Sequence, residues 1–383
     1  MIRFQAGSHV RRLCEILAVT GEIPVSSLHL LGSQRVFRAL VARLCEPQTI
    51  LNTETGEKLD CRLLNLRGRG ARKAVRFYKA GLPVLDWFGA RAYYMNTFRG
   101  HELPRDDTHI ERNFRLAETV LLLSSAGCEF RPWLKESFQS RFIHRLSFAR
   151  PCFYSSHELK NSDEEVKKTQ YARFIGAVFT EDAGMAVYNT RNSVMKWNGM
   201  GEFKAKDAIQ KLAVRNTYAK EITSAILLGQ SMEIAERTMK SFDHVPHADL
   251  RFDRIYRHIY FVPLSQDGVR QLRILLLPDW NERLLDLMFE PTQRSYGRGA
   301  FEYDAHVDGV HVFAFFDSDI ARLIRFREAI ADYKYPAELI CFPFQVSLAK
   351  QVLDDLVDIK TFELGAVLEA LGLEGGNAFE SET

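Results

Sequence analysis

Three carboxylates gather around one stretch of this chain. Asp304 lies in the first arm of Ala300-Phe-Glu-Tyr-Asp-Ala-His-Val-Asp-Gly-Val-His-Val-Phe-Ala-Phe-Phe, and Asp317 and Asp319 follow the second arm. Two such carboxylates, facing each other across paired strands or at their ends, can hold Mg2+ or Mn2+. The metal then positions a water or a 3′-oxygen for phosphodiester chemistry. On this reading Asp304, Asp317 and Asp319 are catalytic candidates, and Asp304 and Asp317 are the metal ligands. A second reading stays open for Asp317 and Asp319: either can cap a helix beginning near Ser318 by accepting its first free N–H groups.

The other chemistry is cationic. Ser33, Gln34, Arg35, Arg38 and Arg43 occupy the start and outer side of an amphipathic stretch, and Arg67, Arg69, Arg72 and Lys73 follow in a Gly-rich run. Residues 1–80 hold fourteen Lys and Arg against six Asp and Glu, a formal +8. The whole chain is only +2, so the remainder is −6. A basic head on an acidic body is the footprint of a phosphate-binding surface, with affinity that falls steeply with salt.

The elements that must position these groups can be read in turn. Val10–Val19 is an amphipathic helix. Pro24–Leu31 is a short helix, Gly32 a turn, and Ser33 an N-cap for a helix through Leu44 with Val36, Phe37, Leu40, Val41 and Leu44 inward. Gln48–Leu51 and Cys61–Leu66 form a hairpin around a turn-rich tip, which makes a wing after a helix-turn-helix. The basic run 67–76 continues as helix. Ala92–Met95 is a short strand or aromatic turn. Thr108–Ser125 is a helix capped by Thr108, with Glu111 at the capping-box position and Arg112 and Arg115 paired to Glu111 and Glu118. The stretch from Pro132 to Ser162 is irregular and includes Arg141, His144, Arg145 and Arg150. Beyond it, strands and helices alternate as in an α/β domain. The Asp308-Gly309 pair is a strong hairpin-turn signal. The expected organisation is a DNA-binding domain over 1–80, a helical and irregular connector over 81–165, and a mixed-sheet domain over 166–383.

Composition narrows the function classes. The chain has 383 residues, 46% of them hydrophobic, which suffices for two or three cored domains. No run of about twenty apolar residues and no apolar signal core is present, so a cytoplasmic protein without membrane contact is expected. Six scattered cysteines show no CxxC pair, and they read as buried free thiols. GxxxxGK[ST] and GxGxxG are absent, which removes the usual nucleotide motifs. His244 with His247 and His306 with His311 are read as surface or hydrogen-bonded residues. Glu202-Phe-Lys204, twenty residues after Asp182, is read as a solvated helix start.

The order of an aspartate on one hairpin strand and an acidic group after the next resembles the PD-(D/E)XK endonuclease-like fold. With the winged helix in front, the chain resembles the replication-relaxation family and the related MOBC-type relaxases of plasmids and integrative elements. The resemblance implies double-stranded DNA as partner, conjugation or replication proteins as further partners, and metal-dependent nicking at an origin without a covalent tyrosine. Departures are plain. Tyr303-Asp304 stands where Pro-Asp is usual, and Phe316-Asp317-Ser318-Asp319 has an acid where the family has lysine. Arg322, one helical turn on, stays protonated and makes a poor base. The missing lysine favours an alternative, a catalytically inert winged-helix regulator of transcription or replication. A protein-interaction scaffold is the third reading. Winged-helix chains commonly dimerise, but no zipper-like seam is visible.

Overall fold

The computed structural model describes residues 1–104, 106–138, 145–162, 166, 173–181, 183–195, 200–241, 251–295, 302–333 and 336–373. Asp182, His244, His247, Arg141 and His144 lie outside the described residues. The chain divides into two units, one of Met1–Ser125 with Glu129–Ser137, and one of Ala126–Cys128 with Phe138–Glu374. Both mix helices with small sheets, in an α+β arrangement.

In the first unit, β1 (Ile2–Phe4) precedes α1 (His9–Thr20), whose cap is Ser8: its hydroxyl accepts the Arg11 N–H at 3.3 Å. Gly21 (φ 72°) closes α1, and a Cβ there would meet the Phe98 ring at 2.7 Å. β2 (Glu22–Pro24) runs directly into the expected short helix, which is a 3-10 helix over Val25–Leu31. α2 (Gln34–Leu44) then buries Phe37, Val41 and Leu44 at i, i+4 and i+7. Val36, expected inward, is 46% exposed because it lies about 100° round the helix from that stripe.

β3 (Gln48–Asn52) forms a hairpin as expected, but its return strand is β4 (Lys58–Cys61) and not Cys61–Leu66, and β1 pairs with β3 in the same sheet. β5 (Leu64–Arg67) and β6 (Ala74–Phe77) make a second hairpin, and β2 pairs with β6. The run after Arg67 is therefore a turn leading into a strand, not a helix. Gly68 (φ 75°) and Gly70 (φ 57°) supply the left-handed backbone at its tip. α3 (Arg91–Thr97) stands where a short strand or aromatic turn was expected, and α4 (Asp107–Ser125) follows. Asp106, not Thr108, accepts the His109 N–H at the start of α4 (3.0 Å). Arg115 pairs with Glu111, whereas Glu118 is buried and accepts from Ser27 Oγ at 2.9 Å.

The second unit carries two sheets. Contrary to the irregular reading of 132–162, Cys152–Ser155 is a strand, β7, followed by α5 (Ser156–Ser162). β8 (Phe174–Phe179), β9 (Gly184–Arg191), β10 (Ser224–Gly229) and β11 (His258–Pro263) complete a sheet in the order β11-β10-β9-β8-β7. It is antiparallel from β7 to β9 and parallel from β9 to β11. Helices α6 (Met200–Asn216), α7 (Met232–Lys240) and α8 (Phe252–Ile255) connect these strands. Glu202-Phe-Lys204 lies in the first turn of α6 with Phe203 and Lys204 exposed, as expected, but Glu202 is buried.

α9 (Gln266–Leu275) and α10 (Trp280–Met288) lead to the second sheet. Its order is β12 (Ala305–Val307), β13 (Val310–Ala314), β14 (Ala337–Cys341), β15 (Asp358–Thr361). The first pair is antiparallel and the others parallel. Asp308 (φ 49°) and Gly309 (φ 83°) make its two-residue turn, both in the left-handed region. β13 is near-continuously apolar because both its faces are covered. Phe313 and Phe315 pack into one core, and Val312, Ala314 and Phe316 into another. α11 (Ile320–Tyr333), α12 (Val346–Leu353) and α13 (Leu364–Ala370) complete the unit.

Candidate functional site

The turn after β13 leaves its own sheet and lies along the edge strand of the other. Asp319 bridges to Tyr260, and the Phe261 N–H donates to the Ser318 carbonyl at 3.0 Å. Two buried amides fix this turn. Gln271 Nε2 on α9 donates to the carbonyls of Asp317 (2.8 Å) and Phe261 (3.2 Å). Gln345 Nε2 donates to the Phe316 carbonyl (3.1 Å) and to Ser318 Oγ (2.6 Å). Ser318 itself holds φ 52°, a strained value for a residue with a Cβ.

Asp304, Asp317 and Asp319 are all buried, and all come together around Arg322. Arg322 Nη2 donates to Asp304 Oδ1 at 2.8 Å, and Nη1 stands 3.7 Å from Asp317 Oδ2. Its Nε is 3.4 Å from Glu302 Oε1. The guanidinium also sits over the Phe313 ring, 4.7 Å from its centroid. Asp304 Oδ2 accepts the Ala314 N–H at 2.7 Å, which ties the aspartate to β13. Asp317 Oδ1 accepts the Asp319 N–H at 3.0 Å.

Asp319 behaves as a helix cap. Its Oδ1 accepts the N–H groups of Ala321 (3.1 Å) and Arg322 (3.2 Å) at the start of α11, and that of Ile259 at 3.0 Å. Its Oδ2 bonds His258 Nδ1 at 2.8 Å. The imidazole is 26% exposed while Asp319 is fully buried.

The electrostatics follow from burial and this crowding. Burial works against the charge of Arg322, but Asp304, Asp317, Asp319 and Glu302 outweigh it and hold the group above the ordinary arginine range. Burial raises Asp317 well above the usual carboxylate value, and the charges of Asp319 and Asp304 add to that rise. Asp319 is held below its usual value. Burial opposes its ionisation, and the His258 bond, the nearby charges and the Ile259 N–H overcome that. Glu302 is likewise low: Arg325, at 2.7 Å, and Arg322 overcome its burial.

Sequence reasoning located the three aspartates but not Glu302, Arg325 or His258 as their neighbours. His258 lies 61 residues from Asp319, and only the pairing of two strands with a turn unites them. His306 and His311 face each other across the β12–β13 register, as cross-strand neighbours.

The expected cationic residues of the first unit fall into two groups. Arg35, Arg38, Arg69 and Lys73 are exposed, and no ion pair engages them among the described residues. Arg43 is exposed and reaches the Met1 carbonyl at 3.4 Å. Ser33 is exposed and Gln34 half-buried at the start of α2; the Ser33 side chain makes no capping bond. Arg67 is turned to internal work, donating to Glu22 Oε1 (3.4 Å) and the Pro104 carbonyl (2.8 Å). Arg72 makes a two-pronged pair with Asp107, at 2.7 and 2.9 Å.

Compared with protein-family models, with curated proteins and with solved structures, the chain matches none of them. No described helix is long and apolar enough to cross a membrane. All six cysteines are buried and free of disulfides.

Proposed function

We propose that this chain binds double-stranded DNA through its first unit, used as a winged helix, and that the acidic cluster of the second unit is a structural centre. α2 is the recognition helix in this reading. The wing is the β5–β6 hairpin and not the β3–β4 hairpin. Support comes from the connectivity: β2 pairs with β6 and feeds the 3-10 helix that precedes α2. The Val25 N–H bonds the Lys73 carbonyl at 2.9 Å, which joins the hairpin to that junction, and the Leu63 N–H bonds the Leu44 carbonyl at the end of α2. The observation that carries the reading is the outward projection of Arg35 and Arg38 from a helix anchored by Phe37, Val41 and Leu44. Such cations contact backbone phosphates or base edges once the helix enters a groove. Fluorescence anisotropy with labelled duplex tests it: salt-sensitive binding by wild type and weak binding by Arg35→Ala with Arg38→Ala are expected. Equal affinity of the two proteins overturns it.

Mg2+ or Mn2+ between Asp304 and Asp317 fits this arrangement poorly. Both Asp304 oxygens are already engaged, and the guanidinium of Arg322 takes the place of a bridging cation. This supports the inert-regulator reading over origin nicking. A relaxase-like nuclease of a mobile element, acting with conjugation or replication proteins, is the second reading. The convergence of Asp304 and Asp317 on a single cation is what favours it. A supercoiled plasmid carrying the element's own origin, incubated with Mg2+ or Mn2+, separates the two. Relaxed product that disappears with Asp304→Ala supports nicking, and its absence supports a regulator.

A further inference from the structure

A cavity of about 620 Å3 opens beside the β5–β6 hairpin, lined by Arg67, Arg76, His101, Glu102 and Leu103. Strand register explains why its cations meet. Arg76 on β6 pairs with Glu22 on β2 and with Asn65 on β5. Arg67, two residues beyond Asn65, therefore shares their face of the sheet. Glu22 is shared between them: its Oε1 is 3.4 Å from Arg67 Nη1 and 3.9 Å from Arg76 Nη1. With Glu102 as a second carboxylate on the lining, the two guanidiniums supply a wall of directed donors and not an excess of positive charge. Arg67 is also tied to the Pro104 carbonyl. Arg76 has no bond shorter than its 3.9 Å ion pair among the described residues, which leaves most of its donors for an occupant.

His101 adds a polar ring to the lining. Its backbone sits at φ 86°, a costly value for a residue with a Cβ, and the Tyr94 hydroxyl meets its Nδ1 at 2.6 Å. Burial raises the Tyr94 pKa, so the phenol keeps its proton. Burial and the charge of Arg76 lower the His101 pKa, which favours the neutral ring. Glu102 is exposed on the same lining and can accept from hydroxyl groups. The volume exceeds what inorganic phosphate needs and falls in the usual range of small-molecule sites.

We propose that this cavity binds a sugar phosphate, with its phosphate on Arg76 and Arg67 and its hydroxyls toward Glu102. The site does not depend on the DNA reading, because Arg35 and Arg38, which carry that reading, are not on its lining. Calorimetric titration of the full chain with ribose 5-phosphate, at fixed ionic strength, tests it, with ribose alone as control. Saturable binding by wild type, weakened at least tenfold in Arg76→Gln and partly restored in Arg76→Lys, is expected. No saturable heat, or equal binding by wild type and Arg76→Gln, overturns it. If Arg76→Gln does not fold, Glu102→Gln replaces it: the proposal requires ribose 5-phosphate to bind more weakly there, and unchanged binding overturns it. Adding a short DNA duplex to the ribose 5-phosphate complex distinguishes the sources. Displacement identifies a DNA phosphate as the occupant, and retention identifies a free sugar phosphate.

Discussion

Arg322 on α11 and Asp304 beside β12 share a 2.8 Å hydrogen bond between buried side chains. That bond joins the helix to the hairpin that precedes it, and it places a permanent cation where the carboxylates meet. Removing one partner of such a buried network leaves uncompensated charge. Arg322→Ala is therefore expected to cost about 3–5 kcal/mol, measured by urea unfolding.

The pair of Asp319 and His258 predicts a pH dependence. Asp319 has a folded-state pKa below its unfolded value, so its contribution is present above the unfolded value of about 3.9. It is lost as pH falls through the lower, folded value. Wild-type stability should drop over that acid range, and Asp319→Asn should show a shallower drop. At neutral pH the same variant should lose about 1–3 kcal/mol, because the amide keeps the cap but gives up the charge-assisted bond to His258. Urea midpoints across pH 2.5 to 6 check both statements.

Arg35 and Arg38 predict a salt signature. Each phosphate contact removed lowers the slope of log K against log salt by about 1. Arg35→Ala with Arg38→Ala should lower it by about 2 and should leave the urea midpoint unchanged, because both side chains are exposed and unpaired among the described residues. Anisotropy titrations at several salt concentrations read the slope.

Arg72 gives a prediction of opposite sign. It is held by Asp107 on the surface, and such exposed pairs contribute only about 0–1 kcal/mol. Asp107→Ala should barely change stability yet tighten duplex binding severalfold by releasing a cation beside the hairpin. Unchanged affinity would place Arg72 away from the DNA.

Gly268, near the start of α9, tests how the acidic turn is held. A Cβ there would collide with the Pro263 carbonyl at the end of β11. Backbone cannot give way as a side chain can, so Gly268→Ala should shift α9 and with it Gln271, which holds the Asp317 carbonyl. Destabilisation of more than about 2 kcal/mol is expected, read by thermal unfolding.

Local patterns in the chain were enough to determine many elements, including α1, α2 and the Asp308-Gly309 hairpin. Each rests on periodicity or turn chemistry spanning a few residues. The basic run 67–73 was legible as a cationic surface, but its role as a hairpin tip was not. That role depends on β2, some forty residues earlier, pairing with β6. The three aspartates were legible as a cluster because they flank one hairpin. Their meaning was decided elsewhere, by an arginine on the next helix, a histidine on the edge of another sheet, and glutamines from α9 and the approach to α12. A carboxylate looks the same in sequence whether it awaits a metal, caps a helix or neutralises a guanidinium. Which of these it does depends on the charges and N–H groups that folding brings within about 3 Å, where hydrogen bonds form and burial removes competing water.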